Sequence, residues 1–184
     1  MPEIRLVGTP QRSELRRAVR ARLADLRLVL RVIAEDVLGA EGPIDWVALD
    51  PQGGVVLVLL GSEGEDLALV GRALAQRAWV EPRLRDWIQL APRLGLEATA
   101  PVRVALLAPA FGPGALAAAG ALGPSVAVLA SYRCVRNGGA VEVLLEPLRD
   151  TRPREECPTP ASSFRSGLSD ADLSLSAEER SDLE

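Results

Sequence analysis

Between Gly42 and Gly61 the chain reads GPIDWVALDPQGGVVLVLLG, and this stretch constrains the fold more than any other. Asp50-Pro51-Gln52-Gly53-Gly54 combines a residue that bonds its own backbone, a ring-locked φ and two glycines, which is a strong turn signal. The flanking runs are apolar and of strand length. Residues 44–50 and 54–60 therefore read as a β-hairpin. Side chains alternate along a strand, so Val55, Leu57 and Leu59 should share one face, with Val56, Val58 and Leu60 on the other.

The surrounding segments place this hairpin in an α/β domain. Upstream, Leu15, Val19, Leu23, Leu26, Leu30, Ile33 and Val37 recur at spacings of three or four, which predicts one long amphipathic helix from an N-cap at Ser13 to about Gly39. Downstream, Leu67, Val70, Leu74 and Ala78 predict a helix over 65–80, with Glu65 and Asp66 at its positive end; Pro82 ends or bends it before a shorter segment reaching Leu90. Val102 to Leu107 reads as a strand and Ala115 to Leu122 as an Ala-rich helix. Val126 to Ala130 and Ala140 to Leu145 read as further strands, with Asn137-Gly138 a hairpin turn. This order implies a central mixed sheet flanked by helices. Residues 1–12 read as an N-terminal extension and 13–149 as the domain. Residues 150–184, rich in Pro, Ser and acids, read as a largely disordered tail.

Composition removes most familiar chemistry. All 21 basic residues are arginines and no histidine is present. Imidazole-based nucleophilic catalysis and the commonest metal ligand are thus excluded, and no Walker-type phosphate loop can exist without lysine. Two widely spaced cysteines, Cys134 and Cys157, suggest free thiols rather than a zinc site or disulfide framework. Hydrophobic residues make up 48% and mean hydropathy is +0.13, ample for a core. No apolar run is long enough for a membrane span and the N-terminus lacks a signal-peptide core, so the expected location is the cytoplasm.

Charge is unevenly spread. Residues 1–31 carry a net of +5 and residues 150–184 a net of −5. On a continuous helix Arg16, Arg20, Arg27 and Arg31 would form a stripe beside the apolar one. That stripe reads either as a phosphate-binding ridge, which the acidic tail would mask, or as a solvated face with i,i+4 pairs.

The hairpin resembles the active-site hairpin of the PD-(D/E)xK, or restriction-endonuclease-like, nuclease superfamily, in which an Ile-Asp pair opens one strand and Glu-x-Lys closes the next. Ile44-Asp45 stands where the first acid belongs, but the Glu position falls on Leu59 and the Lys position on Gly61. The resemblance covers roughly residues 13–147 and includes VRVALLAPAF followed by a strand and ASYR. It implies a restriction-endonuclease-like core. In such sites two carboxylates hold Mg²⁺ and the Lys helps position or deprotonate water. Leu59 cannot ligate a cation and Gly61 has no side chain, so the resemblance implies a catalytically degenerate member with neither catalytic residues nor a cofactor.

Relatives in the exonuclease branch carry Gln-x-x-x-Tyr on the second helix, positions that fall here on Arg72 and Gln76. Glu35-Asp36 would approach Asp45, as an acid from the first helix does in active relatives. The expected role is a non-catalytic module binding a protein partner or a second copy of itself, with nucleic acid a further possibility through Arg16, Arg20, Arg27 and Arg31, and no membrane. The alternative is a weak Mg²⁺-dependent nuclease with a migrated site. There Asp45, Glu35, Glu63 and Glu65 would rebuild the acidic cluster and Arg72 would replace the Lys.

Overall fold

A computed structural model describes residues 4–26, 28–137 and 139–149 of the 184-residue chain. The segment read as an acidic tail, with Cys157, lies outside the described residues, as does the side chain of Arg27. In chain order the elements are β1 (Ile4–Val7), α1 (Arg12–Arg22), β2 (Arg31–Gly39), β3 (Gly42–Leu49), β4 (Val55–Leu60), α2 (Asp66–Val80), α3 (Leu84–Leu90), β5 (Arg103–Ala108), α4 (Pro113–Ala121), β6 (Val126–Asn137) and β7 (Ala140–Arg149). Short 3-10 turns follow α1, α2, α3 and α4.

The strands form one seven-stranded mixed sheet in the order β1-β6-β5-β4-β3-β2, with β7 also paired to β6. β4, β5 and β6 run parallel at the centre, and every other pairing is antiparallel. One long strand serves three neighbours: β6 pairs with β5 through residues 126–131, then with β1 through residues 134–137, and with β7 on its other edge. The stretch read as an extension thus contributes residues 4–7 to the sheet.

Both faces of the sheet are covered, which is why β4 is apolar at every position. Val55, Leu57 and Leu59 pack with Leu69, Val70 and Ala73 of α2 and with Ala115 and Ala119 of α4. Val56, Val58 and Leu60 pack on the other side with Leu15, Ala18 and Val19 of α1. The alternation expected for this strand is the one found, with Trp46 opposite Val58 and Leu49 opposite Val55. No helix among the described residues is long and apolar enough to cross a membrane.

The long first helix is the main correction. It starts at Arg12, with Gln11 rather than Ser13 at the N-cap position, and α1 ends at Arg22, followed by a 3-10 turn over Leu23–Leu26. Residues 31–39 are strand. The apolar spacing that predicts a continuous helix divides between two sheet faces: Leu15, Val19, Leu23 and Leu26 pack on one, Ile33 and Val37 on the other. Pairing with β3, which sets Ala34 against Val47 and Val37 against Ile44, overrides the local period, and β-branched Val32, Ile33 and Val37 suit an extended chain. Arg31 accordingly sits on a strand at the edge of the sheet, and no stripe continues from Arg20.

Candidate functional site

Asp45 stands where two strands part. The β3–β4 ladder runs from Leu49–Val55 to Trp46–Val58. Beyond it a side chain takes over from the β3 backbone: the Leu60 amide donates to Asp45 Oδ2 at 2.8 Å. Ile44 belongs to the core beneath α2 while Trp46 belongs to the core beneath α1. Asp45 also turns toward α1, where Oδ1 accepts a 2.8 Å hydrogen bond from Arg12 Nη2 and lies 3.6 Å from Arg16 Nε. The carboxylate is 1% exposed, so a cation and an amide in contact with it are what make its burial tolerable.

Glu35 and Asp36 do approach Asp45, but from β2 rather than from a helix. Asp36 lies across from Asp45, between the pairs Glu35–Trp46 and Val37–Ile44, with φ at +53°, a left-handed conformation that Asp tolerates better than most residues. Arg16 joins the group: Nη1 donates to the Asp36 carboxylate, Nη2 donates to the Asp45 carbonyl at 3.1 Å, and the guanidinium stands 5.5 Å from the Trp46 ring centroid. Arg20 donates from Nε to Glu35 Oε1 at 3.2 Å. Three acids of β2 and β3 are thus met by three arginines of α1. Arg16 and Arg20 face protein carboxylates, and Arg31 donates to the Leu94 carbonyl elsewhere on the sheet edge.

The positions that would carry Glu and Lys are closed. Leu59 is fully buried beneath α2. Gly61 donates its amide to Leu107 O at 2.8 Å and accepts from the Tyr132 hydroxyl at 3.0 Å. A Cβ at Gly61 would lie 2.9 Å from Leu69 Cδ2, so any long side chain there must displace Leu69. Burial, above all other influences, pushes the Tyr132 phenol up to about 12. Burial likewise raises the Cys134 thiol, the opposite of what an activated nucleophile needs.

On α2, Arg72 Nη2 donates to Leu60 O at 2.6 Å, while its Nε is buried without a partner. Gln76, fully buried, donates to Gly42 O at 2.9 Å and accepts from the Ala40 amide at 3.1 Å, clamping the β2–β3 turn. A side chain at Gly39 would have its Cβ 1.7 Å from Gln76 Oε1, so any side chain there must displace the Gln76 amide from its clamp. Glu63 and Glu65 are exposed on the loop before α2, and Glu65 lines a shallow recess with Glu41 and Arg72.

Glu35, Asp45 and Glu63 are not brought together: among the described residues no three His, Cys, Asp or Glu side chains are grouped to hold a metal ion. Mg²⁺ does not fit at Asp45. Its oxygens already meet Arg12 and the Leu60 amide, and Leu59 offers no oxygen as a second ligand. Sequence reasoning missed Arg12, for which no local pattern gives a signal. It could have found the Gln76 clamp, since the amide falls on the same buried stripe as Leu69, Ala73 and Val80.

The remaining tryptophans pair away from Asp45. Trp79 and Trp87 meet edge to face with centroids 6.5 Å apart, and Arg83 stacks 4.2 Å from the Trp79 centroid. Both are half-buried, not sealed in the core.

No family model and no curated protein matches this chain. Among solved structures it is similar to a repair endonuclease from Pyrococcus abyssi, at 18% identity and a TM-score of 0.42, with 60% of this chain and 43% of that one covered. It is also similar to a structure of an EndoMS-dsDNA2 complex, at 15% identity and a TM-score of 0.36, covering 61% of this chain and 41% of that one. The chain spans less than half the length of either structure.

Proposed function

We propose that this chain is a catalytically silent, restriction-endonuclease-like module whose role is to bind, with a protein partner or a second copy of itself as its ligand. The observation that carries the reading is the Arg12–Asp45 ion pair. A cation supplied by α1 sits on the one acid that the nuclease pattern retains, while the Glu and Lys positions hold a core leucine and a glycine. Arginine remains protonated at all relevant pH and is a poor general base, so Arg12 and Arg16 compensate charge and Arg72 holds the Leu60 carbonyl without supplying the missing proton acceptor. Restriction-endonuclease-like membership rests on the layout of Ile44-Asp45, the hairpin and the Leu59-x-Gly61 strand end.

The test is a cleavage assay of the purified protein on single- and double-stranded DNA and RNA with Mg²⁺ or Mn²⁺. No cleavage is expected. Metal-dependent cleavage that is stopped by chelation and lost in Asp45→Asn overturns the reading in favour of a nuclease with a rebuilt site.

A further inference from the structure

An apolar groove of about 270 Å³ lies between β2 and the α3 region, walled by Ile33, Val37, Trp79, Trp87, Leu90 and Leu94 among others. Every residue lining it is apolar. Leu90 is 83% exposed, far more than a leucine with a purely internal role. A half-buried tryptophan pair in an apolar cleft is the kind of anchor that dominates protein interfaces.

Charge at the groove identifies the occupant's chemistry. Arg83 stacks on Trp79, and Arg31 is bonded to the Leu94 carbonyl, so two guanidinium groups touch the walls directly. Neither forms an ion pair with a carboxylate among the described residues. Residues 83–94 add Arg85 and Arg93 against Asp86 alone, and Glu97, just beyond Leu96, is already engaged by the Thr99 amide and hydroxyl. Two copies of such a rim would oppose like charge to like.

We infer that this groove docks an acidic amphipathic segment of a partner protein, with apolar side chains seated against Trp79, Trp87 and Leu90 and carboxylates meeting Arg31 and Arg83. This inference rests on the binding role proposed above and specifies both its surface and its ligand. The groove is distinct from the surface of Arg12, Arg16 and Arg20 on α1, which are turned onto the chain's own acids.

The experiment uses the full chain and two short fluorescein-labelled peptides with the same leucine face, one carrying glutamates beside it and the other lysines, read by fluorescence anisotropy. The glutamate peptide is expected to bind. Leu90→Glu should weaken it roughly tenfold, an anchor-sized loss. Arg83→Glu should weaken the glutamate peptide and strengthen the lysine one, which a merely sticky surface would not do. Both sites are exposed, so the variants should keep the wild-type circular dichroism spectrum. Equal binding of both peptides, or binding indifferent to Leu90→Glu, overturns the inference. Concentration-dependent dimerisation that Leu90→Glu abolishes also overturns it and gives the groove to a second copy. Nucleic-acid cleavage is a separate readout: it would end the non-catalytic reading without altering the peptide result.

Discussion

Arg12, exposed at the first position of α1, donates to Asp45, one of the most buried polar side chains in the described protein, across 2.8 Å and 33 residues of chain. The contact couples the helix to the point where β3 and β4 part. Asp45→Ala should cost about 3–5 kcal/mol, because it orphans the Leu60 amide and leaves guanidinium groups facing an apolar wall. Arg12→Ala should cost less, about 1–3 kcal/mol, since Arg16 and the Leu60 amide still face the carboxylate. Urea denaturation of both variants and the double variant checks this. Losses that simply add, with a coupling below about 0.5 kcal/mol, would show that the pair is incidental.

A second prediction concerns Gly39 and Gln76, where one side chain occupies the space of another. Gly39→Ala forces its Cβ onto Gln76 Oε1 and should destabilise by about 1–3 kcal/mol through overpacking. Gln76→Ala should cost a similar amount by leaving the Gly42 carbonyl and the Ala40 amide without their partner. Combining them should recover most of the Gly39→Ala penalty, because the colliding atom is gone. If the double variant is as unstable as the two losses summed, the close approach is not what demands glycine.

The arginines of α1 yield a third. Arg16 is 17% exposed and bound to Asp36 and to the Asp45 carbonyl, and Arg20 is bound to Glu35. Substituting both by alanine should lower the unfolding midpoint in urea while leaving low-salt affinity for duplex DNA, whatever its level, unchanged within about twofold. A phosphate-binding ridge would behave differently. Each lost phosphate contact would reduce the slope of log affinity against log salt by about 1.

The hairpin was legible because its turn is spelled out at Asp50–Gly54 and its runs are uniformly apolar, so local chemistry and final register agree. Asp50 accepts from the amides of Gln52 and Gly54, each at 2.8 Å, the local side-chain bonding that made the turn readable. β2 was illegible for the opposite reason. Leu30, Ile33 and Val37 satisfy a helical period in isolation, and only a partner strand decides otherwise. The bulge at Ile33 and the left-handed Asp36 further disturb the alternation that would have marked a strand. At the site, Asp45 was found from its place in the hairpin, but the arginine that neutralises it arrives from 33 residues away and leaves no trace in local spacing.

Tyr132 offers the last prediction, and it is the only tyrosine in the chain, so its titration is read directly from tyrosinate absorbance. Burial beside the Gly61 carbonyl favours the neutral phenol and pushes its pKa up to about 12, against about 10 in an unfolded chain. The sign follows. Between those values the unfolded chain has released the proton that the folded one keeps, so the folded state binds more protons and stability falls as pH rises. Below about pH 10 the contribution is fully present. The folded protein should therefore show a tyrosinate transition well above that of the urea-unfolded chain, and Tyr132→Phe should lose the bond to Gly61 yet flatten the stability decline over this window. Coincident transitions in folded and unfolded protein would mean that the hydroxyl is open to water and that the end of β4 is not sealed.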